Sequence, residues 1–114
     1  MDRKALFTAM KQEVLGKHYD LSMAFISEEK IKKLNLTYRN KNEPTDILSF
    51  PLSKHEGEIY ICLKQARKEA KKFGRKYENF LGFLFIHGLV HLKGFDHGST
   101  MDDIEARFQK KFGI

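Results

Sequence analysis

An α+β fold, loosely α/β, is what this 114-residue sequence predicts: a small mixed β-sheet flanked by about five helices. Three observations carry that expectation. Apolar residues recur at helical spacing in several segments and at period two in others. The two kinds of segment interleave, but without the regular strand–helix–strand repeat of a parallel sheet. Two strand-like runs, 47–52 and 58–62, are joined by a short polar link, as in an antiparallel hairpin.

Residues 2–15 place Leu6, Met10 and Val14 at every fourth position, with Ala5 and Ala9 beside them. That is one apolar stripe on a first helix, capped by Asp2 and stopped by Gly16. Leu21, Met23 and Phe25 alternate with Asp20, Ser22 and Ala24, the pattern of a strand with one buried face. Ser27 followed by Glu28 and Glu29 opens a second helix, because the hydroxyl caps and the acids suit the positive end of the dipole. Ile31, Leu34 and Tyr38 are its expected inner face, and Arg39 falls near its end. Residues 40–45, with Pro44, read as a loop, and 53–57 as the turn of the hairpin. From Lys64 the period is helical again, with Cys62, Ala66, Ala70 and Phe73 on one side. Lys64, Arg67, Lys68, Lys71, Lys72 and Arg75 gather on the other, and Gly74 closes the element. Asn79 is the expected cap of a fourth helix that runs to about Lys93, with Gly94 as its C-terminal turn. Thr100, Asp102 and Asp103 open the last helix, with Ile104, Phe108 and Phe112 inside.

The length suits one domain over 1–114. A content of 41% hydrophobic and 32% charged residues excludes a disordered chain. The net charge of +6 favours a polyanionic partner, nucleic acid ahead of an anionic membrane. Cys62 stands alone, so no intrachain disulfide forms, which fits a reducing compartment. Residues 1–10 lack the continuous apolar stretch of a signal peptide. The apolar segment 80–90 is too short to cross a bilayer, which takes about 20 residues. A cytoplasmic protein without a membrane partner is expected.

The informative stretch is 87–97, His-Gly-Leu-Val-His-Leu-Lys-Gly-Phe-Asp-His. Residues four apart on a helix lie one above the other, so His87 and His91 can converge on one ion. Gly94 tolerates the left-handed turn that swings the chain back and lets His97 supply a third nitrogen. Three protein ligands leave a coordination position for water, the mark of a catalytic rather than a closed structural site. Metalloprotease helices share this spacing but carry a Glu after the first His as general base. Gly88 stands there instead, so peptide hydrolysis by that route lacks its proton acceptor.

The 87–97 run resembles the signature of the YbeY family of bacterial single-strand-specific endoribonucleases. Leu34-Asn35, then Tyr38-Arg39-Asn40-Lys41, and the run Pro44-Thr45-Asp46-Ile47-Leu48-Ser49-Phe50-Pro51 resemble that family's second signature. Gly57-Glu58-Ile59-Tyr60-Ile61 resembles its edge-strand segment. The resemblance spans roughly residue 20 to the C-terminus. It implies a mixed sheet flanked by helices and one catalytic metal ion, usually zinc, on His87, His91 and His97. It also implies maturation of the 3′ end of small-subunit ribosomal RNA and ribosome quality control, with the ribosome or its small subunit as partner. Arg39 falls at the family's functionally important arginine. Family members often begin with an extra strand before the first helix, whereas this chain starts almost at the helix. That leaves two readings, a sheet one strand smaller or a start upstream of Met1.

The candidate catalytic residues are therefore Arg39, His87 and Asp96. Arg39 would set its planar fork against the scissile phosphate, and Asp96 would orient an imidazole or accept a proton. Gly88 is small either to spare substrate or to let the helix meet the sheet. Arg39, Lys64, Arg67, Lys68 and Lys71 are the candidate RNA contacts, the last four forming a track for phosphates. Phe73, Phe80, Phe83 and Phe85 read as core rather than as base-stacking residues. Cys62 reads as a buried strand end, and His18 and His55 as surface residues. Attack on the phosphodiester comes from metal-activated water or from the ribose 2′-hydroxyl. Two rivals remain: a metal-dependent hydrolase of a small phosphorylated or amide substrate, and a non-catalytic RNA- or ribosome-binding module.

Overall fold

The computed structural model describes residues 2–114. Its elements run α1 (Arg3–Leu15), β1 (Asp20–Phe25), α2 (Glu28–Arg39), β2 (Ile47–Ser53), β3 (Glu56–Ile61), α3 (Leu63–Lys72), α4 (Tyr77–Leu92) and α5 (Ser99–Phe112). This is the expected α+β fold, with five helices around a mixed sheet.

Local chemistry sets most of the boundaries. The Asp2 carboxylate accepts from the Ala5 backbone N–H at 2.8 Å, and Gly16 ends α1 at a φ of 88°. The Ser27 hydroxyl accepts from the Lys30 N–H, and Asn40 closes α2 in the left-handed conformation. Asn35 is buried on α2 and donates from Nδ2 to the Glu43 carbonyl at 2.8 Å, which fastens the following loop to the helix.

The three strands lie in the order β1-β3-β2. β2 and β3 form the predicted antiparallel hairpin, with an irregularity between Pro51 and Ser53, and β1 runs parallel to β3. β2 is thus an edge strand of the sheet. Ile59 and Ile61 face the larger core with α1 and α4, while Leu48 joins Ile31 and Cys62 on the opposite face. The alternation of a strand delivers this two-sided burial directly.

Three expectations need correction. Tyr38 does not lie on the inner face of α2: it is 66% exposed at the last turn of the helix, with the Phe50 ring 5.1 Å away. Phe73 is also 66% exposed, because α3 ends at Lys72 and the ring of the next residue leaves the helix face. Asn79 does not cap α4. Its side-chain oxygen accepts from Arg75 Nε at 2.8 Å, and the helix starts two residues earlier, after Lys76. α5 opens at Ser99 after Gly98, with no side-chain cap, and Thr100 and Asp102 lie in its first turn as expected. Cys62 is buried and His18 and His55 are exposed, as expected.

Candidate metal centre and its cleft

α4 is the central helix, and it is apolar on almost every side. From Phe80 to Leu92 its residues are buried except Phe83, His87 and His91. These three sit four apart, so they form a single stripe along the helix. The helix therefore buries its apolar faces and leaves one line for chemistry. Successive rings on this stripe are close: His87 and His91 have centroids 4.7 Å apart and nearly perpendicular planes.

The third imidazole arrives by a turn. Gly94 adopts a φ of 110°, which a side chain would resist. Its N–H donates to the His91 carbonyl at 2.9 Å, and the Phe95 N–H donates to the Val90 carbonyl at 3.4 Å. The reversed chain brings His97 back over the helix, 5.2 Å from the His87 ring and 4.9 Å from the His91 ring. One nitrogen of each imidazole lies within 4.8 Å of the other two.

Two of the rings are held in register by second partners. His91 Nδ1 donates to the Phe95 carbonyl at 3.0 Å; a carbonyl only accepts, so the proton sits on Nδ1 and Nε2 presents a lone pair. His87 Nδ1 bonds the carboxylate of Glu105, which reaches over from α5 and is itself buried. Phe83 lies against His87 at 6.3 Å, covered in turn by the Arg75 guanidinium. Burial, together with the neighbouring His87 and His97, pushes the His91 pKa down, which keeps that imidazole neutral and able to ligate. Three imidazole nitrogens, two of the rings oriented by hydrogen bonds on their far side, suit a divalent ion such as zinc at about 2.0–2.1 Å. Among the described residues this is a donor set that fits one metal.

The histidines floor a cleft of about 660 Å³. Its walls are residues 45–51 of the β2 region, with Tyr38 and Arg39 from the end of α2 and Asp96 beside His97. Arg39 and Asp96 are both exposed there. The carboxylate that holds His87 belongs to Glu105, not Asp96. Glu105 had a signal in the sequence: it interrupts the inner face of α5 between Met101 and Phe108. Asp46 is one of the wall residues. Its carboxyl is raised above the ordinary range, first by burial and then by the nearby Glu69, with backbone N–H groups and His87 acting the other way.

Gly88 faces the sheet. A Cβ there would stand 2.9 Å from both Ile47 Cδ1 and Ser49 Oγ, and 3.1 Å from Ile59 Cδ1. Its smallness thus serves helix–sheet contact and not substrate clearance. Of the expected RNA contacts, only Arg39 lines this cleft. Lys64 and Lys68 lie on α3 with their ammonium groups 3.1 and 3.5 Å from the Glu28 carboxylate, and Arg67 sits over Tyr77. A second groove, about 600 Å³, runs between α1 and β1 over Phe7, Leu21, Met23 and Phe85, and its lining holds no ligating cluster.

The chain matches the family described as Endoribonuclease YbeY over residues 2–112. Proteins named Endoribonuclease YbeY from Macrococcus caseolyticus and Finegoldia magna are each 36% identical to it. The first alignment covers 88% of this chain and 73% of the relative, the second 97% and 77%. In three dimensions it resembles a solution structure of a Thermotoga maritima protein, with a TM-score of 0.68 and 28% identity. That match covers 98% of this chain and 84% of the other. Likeness of sequence and of fold over nearly the whole length agrees with the histidine signature, and the chain belongs to the YbeY endoribonuclease family.

Proposed function

We propose that this protein is a metal-dependent endoribonuclease acting on single-stranded RNA, with one divalent ion, zinc by preference, on His87, His91 and His97. The observation that carries the reading is the convergence of three oriented imidazoles on the floor of a cleft whose wall presents an arginine. The names of the relatives point to the same reaction.

An ion held there supplies Lewis acidity and positive charge where a phosphodiester can lie. The chain's own residues do the rest. Glu105 and the Phe95 carbonyl fix the His87 and His91 rings, so that their ligating nitrogens are set before substrate arrives. The Arg39 guanidinium grips two non-bridging phosphate oxygens and opposes the charge that develops on them. Asp46, whose carboxyl is held above the ordinary range, takes or returns a proton at the cleft wall. Asp96, at the exposed end of the cleft, orients a ligand imidazole or accepts a proton. The α3 face, with Lys64, Arg67, Lys68 and Lys71, gives weaker contacts to RNA beyond the cleft, where phosphates compete with Glu28 for the two lysines.

In the cell we place the protein in the cytoplasm. There it trims the 3′ end of small-subunit ribosomal RNA and takes part in ribosome quality control. No helix of the described residues is long and apolar enough to cross a membrane.

The test is cleavage of a labelled single-stranded RNA by the wild type and by His91→Ala, purified in parallel with folding checked. Cleavage by the wild type alone supports the proposal. Equal cleavage by both indicates a contaminating nuclease, and no cleavage by either, with metal bound and several RNAs tried, overturns it. Products ending in 2′,3′-cyclic phosphate identify the ribose 2′-hydroxyl as the attacking group. Products without it identify water.

A further inference from the structure

The reversal of expectation at Tyr38 leaves a large aromatic ring in solvent beside the cleft. It is 66% exposed, at the last turn of α2, next in sequence to Arg39, and it lines the same cleft as the three histidines. One side of the ring is supported. Tyr38 and Phe50 have centroids 5.1 Å apart, and Phe50 is braced by Tyr60 at 6.0 Å. All three rings are tilted by 56–58° to their neighbours, so Phe50 is fixed between two aromatic partners and Tyr38 rests on it. An exposed ring of this size gains little from its own packing, since most of its surface stays wet. A supported ring with an open side, beside a guanidinium, suits an unpaired nucleobase.

From this placement we propose that Tyr38, backed by Phe50, is a stacking platform for a nucleobase flanking the scissile phosphodiester. The inference rests on the endoribonuclease reading and deepens it. Arg39 follows Tyr38 on the same turn, so one short segment offers a ring for the base and a charged fork for the adjoining phosphate. β2, an edge strand of the sheet, supplies the wall along which the RNA strand lies. The arrangement also gives a source for single-strand preference. A base inside a duplex keeps its faces covered by its neighbours and cannot reach Tyr38, whereas an unpaired base can leave its stack at small cost. Tyr38 is thereby a specificity-determining residue. It binds substrate without touching the ion.

The test compares wild type, Tyr38→Phe, Tyr38→Leu and His91→Ala on single-stranded RNAs carrying 2-aminopurine at successive positions around the mapped cleavage site. Leucine still covers Phe50 but offers no π-face, which separates stacking from mere covering. The expected results are quenching at one position in wild type and Tyr38→Phe, and its loss in Tyr38→Leu. KM should rise at least about fivefold in Tyr38→Leu, the weak end of what a stacked base contributes, with kcat less affected. If Tyr38→Leu retains wild-type KM and quenching while His91→Ala is inactive, the platform is refuted and the nuclease reading stands. If wild type cleaves no RNA, both fall together. Thermal melts of Tyr38→Leu check that the change is local, as its exposure predicts.

Discussion

Glu105→Gln isolates the influence of a buried carboxylate on metal affinity. Glu105 is 6% exposed and its only evident task at the site is to accept from His87 Nδ1. Glutamine has nearly the same shape and its side-chain oxygen can still accept that hydrogen bond. What the substitution removes is the negative charge, which strengthens the basicity of the opposite nitrogen and opposes the charge of the ion. Replacing partners of this kind typically lowers metal affinity about 10–100-fold, which is about 1.4–2.7 kcal/mol. Because α5 packs on α4 through Met101 as well, the fold should survive and the melt of the metal-free protein should stay close to wild type. The assay is competition for zinc against a chromogenic chelator, with His91→Ala as the variant that loses a ligand outright. The order of affinities should be wild type, then Glu105→Gln, then His91→Ala. A folded Glu105→Gln protein that binds zinc as tightly as wild type would refute the reasoning, and would reduce the Glu105–His87 bond to a tie between two helices.

Three further perturbations follow from the same geometry. Gly88→Glu introduces the acid of a metalloprotease helix, but its side chain would enter the packed contact with Ile47, Ser49 and Ile59. Burying an unpaired carboxylate there costs several kcal/mol, so a thermal melt should show a loss of more than about 10 °C, and a wild-type melt would contradict the packing account. Arg39→Lys keeps the charge and loses the planar fork; kcat/KM on RNA should fall by about tenfold or more with zinc affinity unchanged, and unchanged cleavage would remove Arg39 from the phosphate. For Asp46, burial raises the folded pKa above the unfolded value of about 3.9. The folded state then binds the proton more tightly, so this group's contribution to stability falls as pH rises through and above that value. Metal-free Asp46→Asn should therefore melt higher than wild type near pH 7.5, with a smaller gain near pH 4.5. A gain that is equal at both pH values would show that the ionised carboxylate is not the cause.

What could be read from the sequence was whatever local chemistry determines. The caps Asp2 and Ser27, the hairpin, and the histidines at 87, 91 and 97 all follow from spacing or from a side chain bonding its own neighbourhood. Residues whose role depends on how elements meet were harder to read. Tyr38 continues the Ile31 and Leu34 stripe, so helical period alone puts it inside, yet the sheet stops at β2 and nothing remains to cover that turn. Asp46 sits in a loop segment with no period to read, and the groups that act on its carboxyl, Glu69 and His87, belong to other elements. Glu105 did leave a trace, as an acid on an apolar face, but the partner that justifies it lies 18 residues away on another helix. Gly88 was ambiguous for the same reason, since its contacts belong to Ile47, Ser49 and Ile59 in other elements.

That contact also explains how a histidine spacing shared with proteases can serve a different reaction. The residue after the first histidine of a protease helix is free to carry the general base. Here the same position is pressed against β2 and β3, so α4 can contribute ligands and little else. The proposed substrate contacts therefore lie on what faces the stripe: Tyr38 and Arg39 at the end of α2, Asp46 just before β2, and the edge strand itself. This division has a physical logic. The ligand positions require rigidity, which a helix buried on nearly all sides supplies. Substrate contacts require access, which an edge strand and a helix terminus supply. A long, flexible, charged polymer can lie along such an edge while one of its phosphates reaches the buried floor. Rebuilding a general base into α4 would therefore break the packing that sets the histidines, and the proposed chemistry depends on the sheet edge opposite them.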